Sequence, residues 1–332
     1  MSDVRVTADD VALRAGVSRS TVSRAFSPDR PVQKETRQRI LKAAEELGYQ
    51  PNALAQALTS RRSQIVGILM GELSNPIHAV LHQSLSHALQ MCGLIPISVQ
   101  MGPEDDIKQM IATFKQYQVG VVILTSMNIP TDLVRTFQDA GLQVLLVNRV
   151  DEDGVTASVC ADVTQGGALA ARLLVERGCK RIWVAKGATG SWTSEARLAG
   201  HLAGLQRLDS VPAKVVAGGY TYADGAEMAD DILASKEPRP DGLLCPNDLF
   251  AIGFMDRLRK ASGASFPDDI KVVGFDDIPM ANWEGNQLTT IRLPVSAMAS
   301  RAADLITRIS TNAEVVEEKI WIPCRLVQRA SA

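Results

Sequence analysis

The stretch VALRAGVSRSTVSRAF, residues 11–26, decides how the N-terminal part of the chain is read. Its apolar residues Val11, Ala12 and Ala15 recur at helical spacing and stop at Gly16, a residue free to take the left-handed backbone of a tight turn. Upstream, Thr7-Ala-Asp-Asp10 resembles a capping box with a shorter acid. Downstream, Ser18 is placed to cap a second helix, Arg19 to Phe26, with Val22, Ala25 and Phe26 on one face and Arg19, Ser20, Ser23 and Arg24 free for another. After the break Ser27-Pro-Asp-Arg-Pro31, the residues Ile40, Leu41, Ala44 and Leu47 mark a third helix that Gly48 ends. Helix, glycine turn, helix and supporting helix is the helix-turn-helix plan, whose second helix enters the major groove of DNA.

Charge and chemistry agree with that plan. Residues 1–62 hold 11 Lys+Arg against 7 Asp+Glu, which leaves 24 against 30 for the rest of the chain. A basic head on an acidic body suits a polyanionic partner. Arginine can bond bidentately to guanine, and short hydroxyls can approach base edges or phosphates.

The run VALRAGVSRSTVSRAF, continued through Tyr49-Gln-Pro-Asn52, closely resembles the DNA-binding head of the LacI/GalR family of bacterial transcription regulators. The resemblance implies operator contacts from Thr7, Ser18, Arg19, Ser20, Thr21, Ser23 and Arg24. It also implies a hinge helix over Pro51–Leu58 that pairs with its dimer mate in the minor groove. Asn52 would cap that helix, Ala55 would sit at the close hinge contact, and Leu58 would wedge open the central base step. A helix this short is marginal alone, because nucleation costs more than a few hydrogen bonds return. Without the preceding head, a plain linker would be the better reading of this segment.

The remaining residues read as a globular body. A length of 332 residues suggests two or three domains, and 46% hydrophobic with 22% charged residues suits a sizeable core. No apolar run reaches the roughly 18 residues that a membrane span needs, and MSDVRVTADD carries no secretory apolar region. A cytoplasmic protein with no membrane partner is expected. Five scattered cysteines without CxxC spacing argue against a disulfide framework or a zinc site. From Ile65 a strand-then-helix rhythm repeats in two series, with strands expected at 65–70, 95–99, 119–125 and 144–147, then 157–160, 181–185, 214–217, 242–245 and 271–275. Two such series predict an α/β body of two doubly wound lobes with a ligand cleft at the strand C-termini. This is similar to the periplasmic-binding-protein-like fold that the family carries. The expected division is 1–50 for the head, 51–63 for the hinge and linker, and 64–332 for an effector-binding and dimerisation body. Its lobes would be about 64–161 with 294–320, and 162–293 with 321–330.

No catalytic constellation stands out. The histidines His78, His82, His87 and His201 form no HExxH or triad signature, and Gly187-Ala-Thr-Gly190 lacks the GKS/T ending of a phosphate loop. His78, His82 and His87 recur near helical spacing, but no carboxylate or cysteine completes a metal shell there. No catalytic residue, metal or cofactor is therefore expected. Polar residues at strand ends are the candidate effector contacts: Asn75, Ile77 and His78, then Asn148, Arg149, Asp162, Tyr220, Asn247 and Asp276. Arg197, in Glu195-Ala-Arg-Leu-Ala-Gly200, matches the arginine with which family members grip effector hydroxyls or carboxylates. Asp162, Asn247 and Asp248 could instead merely cap the helices that follow them. Gly178-Cys179 departs from the family's usual Gly-His, which bears on packing more than on binding. Ile77 and His78 stand where family members often hold ring-stacking aromatics, which leans towards a polyol, sugar or sugar acid.

The reading is a LacI-type repressor, a homodimer on double-stranded operator DNA controlled by a small polar effector. Its rivals are a cytoplasmic solute-binding protein, a purine-type corepressor regulator and an enzyme on a doubly wound fold. If Arg19 and Arg24 read bases, Arg19→Ala or Arg24→Ala costs roughly 1–3 kcal/mol of operator affinity and relaxes preference at one base position. Titrations against operator and random DNA check this; equal losses on both would leave these arginines as phosphate contacts.

Overall fold

The computed structural model describes the chain except residues 1–5, 27–30, 51–62, 72, 102–105, 126–130, 151–155, 190 and 312–317. The described residues fall into two compact units, 1–64 with 116–118 and the remainder. Asn52, Ala55 and Leu58, and with them the expected hinge helix, lie outside the described residues.

The first unit holds α1 (Ala8–Ala15), α2 (Arg19–Ala25) and α3 (Lys34–Leu47). Both halves of the capping box form: the Thr7 amide donates to Asp10 Oδ2 at 2.8 Å, and the Asp10 amide donates to Thr7 Oγ1 at 3.4 Å. Gly16, at φ 64°, turns the chain out of α1, and the Val17 amide reaches back to the Ala12 carbonyl at 3.0 Å. Val11, Ala15, Val22, Ala25, Ile40 and Ala44 close a small core, with Phe26 and Tyr49 packed beside it at 5.9 Å between ring centroids. Leu41 departs from the expectation of a core-facing residue. It is exposed and Ala43 is buried, because the face shared by Ile40, Ala44 and Leu47 continues through position 43.

The second unit contains two six-stranded sheets. The first series supplies β1 (Ile65–Met70), α4 (Pro76–Met91), β2 (Ile95–Gln100), α5 (Ile107–Gln116), β3 (Val121–Leu124), α6 (Thr131–Asp139), β4 (Gln143–Val147) and β5 (Ser158–Asp162). The second supplies α7 (Val163–Glu176), β6 (Ile182–Lys186), α8 (Trp192–Gln206), β7 (Lys214–Ala217), α9 (Tyr222–Ala234), β8 (Gly242–Leu244), α10 (Asp248–Ser262), β9 (Lys271–Asp276) and β10 (Thr289–Arg292). Then α11 (Val295–Thr311) returns to the first lobe against α4, and β11 (Lys319–Pro323) and β12 (Arg325–Val327) end the series. The first sheet runs β11-β5-β4-β3-β1-β2, with every neighbouring pair parallel. The second runs β12-β10-β9-β8-β6-β7 and is parallel except where β12 joins β10. Cys324 alone separates β11 from β12, so the chain changes sheets at one residue, steadied by the Cys324 amide donating to Gln165 Oε1 at 3.0 Å. Parallel strands place their C-terminal ends on one edge of each sheet, and the candidate residues sit there.

Central strands such as β1 and β3 are buried along their whole length, which is why they read as continuous apolar runs. The sequence reading passed over β10, because Thr-Thr-Ile-Arg alternates too briefly to announce a strand; Thr289 and Thr290 are nevertheless fully buried. Glycine lets α7 and α8 approach closely. A Cβ on Gly200 would lie 2.2 Å from the Thr164 carbonyl oxygen, a clash between two backbones that no side-chain rotation relieves. Gly200→Ala is therefore expected to cost about 3 kcal/mol or more, at the upper end of core overpacking. A urea-unfolding midpoint unchanged from that of the parent would contradict this packing.

Candidate DNA-reading face and effector cleft

On the head, Ser18 caps α2 by accepting from the Thr21 amide at 3.2 Å, and its hydroxyl also meets those of Ser20 at 2.9 Å and Thr21 at 2.8 Å. Ser18, Arg19, Ser20 and Arg24 are exposed, while Thr21 and Ser23 are half-buried. Arg24 folds back on its own helix, with Nη2 3.3 Å from Thr21 Oγ1. Arg19 stands 3.5 Å from Asp9, an exposed pair too loose to hold the guanidinium against a better acceptor. Thr7 is engaged in its capping box, its hydroxyl 2.7 Å from Asp10 Oδ2.

In the body, four sequence candidates meet in one place. Arg197, on the first turns of α8, bonds Asp276 through Nη2 at 2.8 Å and donates from Nη1 to the Pro246 carbonyl. Its guanidinium lies 4.1 Å from the centroid of the Phe275 ring. Both charges are buried, at 7% and 3% exposure. Asn75, which caps α4 in the first lobe, also hydrogen-bonds Asp276, and the His78 ring lies close enough to act on it. Burial pushes the Asp276 carboxyl above the ordinary range, and the Arg197 cation is the largest influence pulling it back. The site thus spans both lobes, with Asn75 and His78 from one and Arg197 and Asp276 from the other.

The backbone here is unusual. Asp276 has φ 111° and Asp277 φ 57°, a pair of left-handed residues of the kind that collects at functional sites. Asp277 is held by Arg329 at 2.7 Å and by Arg292, so the two adjacent acids do different work. Asn148, at φ 59°, is also left-handed, which asparagine tolerates. The residue is 8% exposed and its Oδ1 has no protein partner. Arg149 is half-buried next to it, and its carbonyl accepts from Cys160 Sγ at 3.0 Å; burial pushes that thiol up to about 12.

Other candidates are employed structurally. Asp162 caps α7 by accepting from the Gln165 amide at 2.9 Å. Asn247 caps α10 through the Phe250 amide at 2.9 Å and donates to the Tyr220 carbonyl at 2.8 Å, so it fixes the Tyr220 loop. The Tyr220 ring crosses Gly187, where a Cβ would lie 2.5 Å from it, and its hydroxyl is 3.4 Å from Ser191. Ile77 packs into the apolar core at the start of α4. His82 turns to Ser98 at 3.5 Å, and Cys179 packs against Gly242 and Asp241. Asp248, offered by the sequence as a cap, instead ties a loop to a strand: it accepts from the Ile278 amide at 2.8 Å and from the Thr290 hydroxyl of β10. Sequence reasoning missed Ser194 and His201, buried on the same helix as Arg197; their spacing of three and four residues from it was the available signal. Among the described residues no helix is long and apolar enough to cross a membrane.

Comparisons with known proteins agree with this fold. Residues 7–52 match the family described as bacterial regulatory proteins, lacI family, and residues 171–332 match a periplasmic binding protein-like domain. The transcriptional regulator AscG of Escherichia coli K12 is 31% identical over 87% of this chain and 87% of its own. The ribose operon repressor of Lactococcus lactis is 28% identical over 97% of each chain. A crystal structure of the lac repressor dimer bound to operator and the anti-inducer ONPF shares the fold at a TM-score of 0.83, with 24% identity over 98% of each chain. These relatives are regulators rather than enzymes.

Asp248 yields a test of the cleft's electrostatics. Burial, reinforced by the charge of Asp276, raises its pKa well above the ordinary value. The folded chain therefore keeps a proton that the unfolded chain releases near pH 3.9. This carboxyl makes stability fall as pH rises from about 4 towards the raised folded value. Asp248→Asn removes that slope, so the variant gains on the parent as pH rises. Urea midpoints of the two proteins between pH 4.5 and 8 measure the difference; parallel curves would refute the assignment.

Proposed function

This chain belongs to the bacterial regulatory proteins of the lacI family, and from that premise we propose that it is a transcriptional repressor whose operator affinity is set by a neutral, polyhydroxylated effector. Residues 1–50 form its DNA-binding head, 51–63 its hinge, and 64–332 its effector-binding and dimerisation body. It works as a cytoplasmic homodimer on a near-palindromic operator and performs no catalysis. Arg19, Ser20 and Arg24, exposed on α2, are its base-reading side chains, with Thr7, Ser18, Thr21 and Ser23 towards the phosphates. Asn52, Ala55 and Leu58 act from the hinge.

One observation carries the effector reading: the buried Arg197–Asp276 pair with Asn75 of the other lobe bonded to the same carboxylate. The Arg197 charge is already matched by Asp276, so a carboxylate ligand would bring a second negative charge beside a buried carboxylate. A sugar hydroxyl instead donates to Asp276 and accepts from Arg197, and Asn148 Oδ1 takes a second hydroxyl. Asn75, His78, Arg149 and Tyr220 complete the lining, while Asp162 and Asn247 position it from their capping roles. The ribose operon repressors that this chain resembles are named for the operon of a sugar of this class. An effector that touches both lobes prefers one relative arrangement of them, and the operator prefers one too, so the two affinities are linked reciprocally.

The test is a selection of operator sequence with the full chain, followed by operator titrations with and without neutral sugars and matched sugar acids. A neutral sugar is expected to shift operator affinity about 5- to 150-fold, with the corresponding acid inactive. Arg197→Lys keeps the charge and loses the planar fork, and should weaken that sugar's binding roughly tenfold to a hundredfold. A response to the acid but not to the sugar would overturn the reading.

A further inference from the structure

Beside the ion pair, α8 carries a second polar cluster. Ser194, Arg197 and His201 fall three and four residues apart, on one face of the helix, and are 3%, 7% and 3% exposed. Each holds a buried polar atom with no protein partner: Ser194 Oγ, Arg197 Nε and His201 Nε2. All three residues line one small cavity of about 10 Å³, closed by Gly187 and Pro246.

The proton positions follow from the surroundings. Glycine brings α7 against α8; a Cβ on Gly167 would lie 2.7 Å from the Arg197 carbonyl oxygen. That approach puts His201 Nδ1 3.0 Å from the Gly167 carbonyl, which can only accept, so Nδ1 carries the proton. Burial, with the Arg197 charge adding to it, lowers the His201 pKa to about 4, so the ring is neutral near pH 7 and Nε2 is an acceptor. The cluster thus offers one obligatory donor, one obligatory acceptor and one hydroxyl that can do either.

We propose that Ser194, Arg197 and His201 hold a single buried water molecule that fixes the effector-site arginine through its Nε–H. Arg197 Nε–H donates to the water, the water donates to His201 Nε2, and Ser194 Oγ is its third partner. The cavity matches the roughly 10–15 Å³ that one water needs, and three partners is the usual complement of a buried water. His201 is thereby a positioning residue for Arg197. The water site stands on this geometry alone; its bearing on effector binding rests on the reading of Arg197 given above.

A high-resolution crystal structure of the full chain tests the site directly. The expected result is a density peak about 2.6–3.2 Å from all three atoms, absent in His201→Phe and restored in His201→Gln, which keeps an acceptor. Proton exchange at Arg197 Nε–H, followed by NMR, tests the positioning role: it should accelerate in His201→Phe and recover in His201→Gln. Should His201→Phe fail to fold, Ser194→Ala serves, with exchange expected to rise roughly fivefold to tenfold for one lost hydrogen bond. An empty cavity in the parent, or a peak that persists in His201→Phe, overturns the water site. Exchange unchanged in both variants overturns the positioning role. A parent that holds this water yet responds to no sugar would overturn the effector reading and leave the site standing.

Discussion

Two opposite charges withdrawn from water constrain everything around them. Arg197 and Asp276 are both buried, and the cost of desolvating such ions is recovered only when geometry is close and every remaining polar atom finds a partner. Four separate segments build the pair and its surroundings. Helix α8 delivers the guanidinium, the end of β9 the carboxylate, the turn before α10 a carbonyl at Pro246, β9 the Phe275 ring beneath, and the first lobe the Asn75 amide. None of these is close to Arg197 in sequence. The doubly wound topology brings them together because parallel strands end on a common edge. Asp277 and Asp248 then fix the loops that carry the site, the first through Arg329 and Arg292, the second through Ile278 and Thr290.

Much of this architecture is written in local patterns. Gly16 and Gly48 marked helix ends because only a glycine sits easily at φ 64° and 66°, and the structure places both there. Buried parallel strands read as apolar runs because neither face meets water. Failures occurred where tertiary context overrules a local pattern. Leu41 had the spacing of a core residue but lies one position off the face that α3 buries, and β10 is too short to show a period. The run from Ile320 to Val327 crosses from one sheet to the other at Cys324, a point that nothing in its hydrophobicity marks.

The candidate site was legible in part for the same reason. Strand ends are predictable, so Asn75, Asn148 and Asp276 could be named from position and Arg197 from the family resemblance, and Asn75, Arg197 and Asp276 do converge. Which polar side chain faces the cleft and which caps a helix depends on half a turn of backbone, and Asp162 and Asn247 are tied into caps. His201 was invisible as a partner of Arg197, since a lone histidine in an apolar helix announces only burial until its neighbours are known.

The left-handed backbone at Asp276 bears on how such a regulator can evolve. At φ 111° glycine alone is at ease, but glycine has no carboxylate, so the position admits no substitution that relaxes the backbone and keeps the ion pair. Any change there also strands Arg197 without its counterion. Mutational drift is thus shut out of the centre of the pocket and diverted to its margins. His78, Arg149 and Tyr220 sit in that margin, outside the Arg197–Asp276 pair itself. A lineage acquiring a new ligand would be expected to write the change in those residues while the charged centre stays fixed.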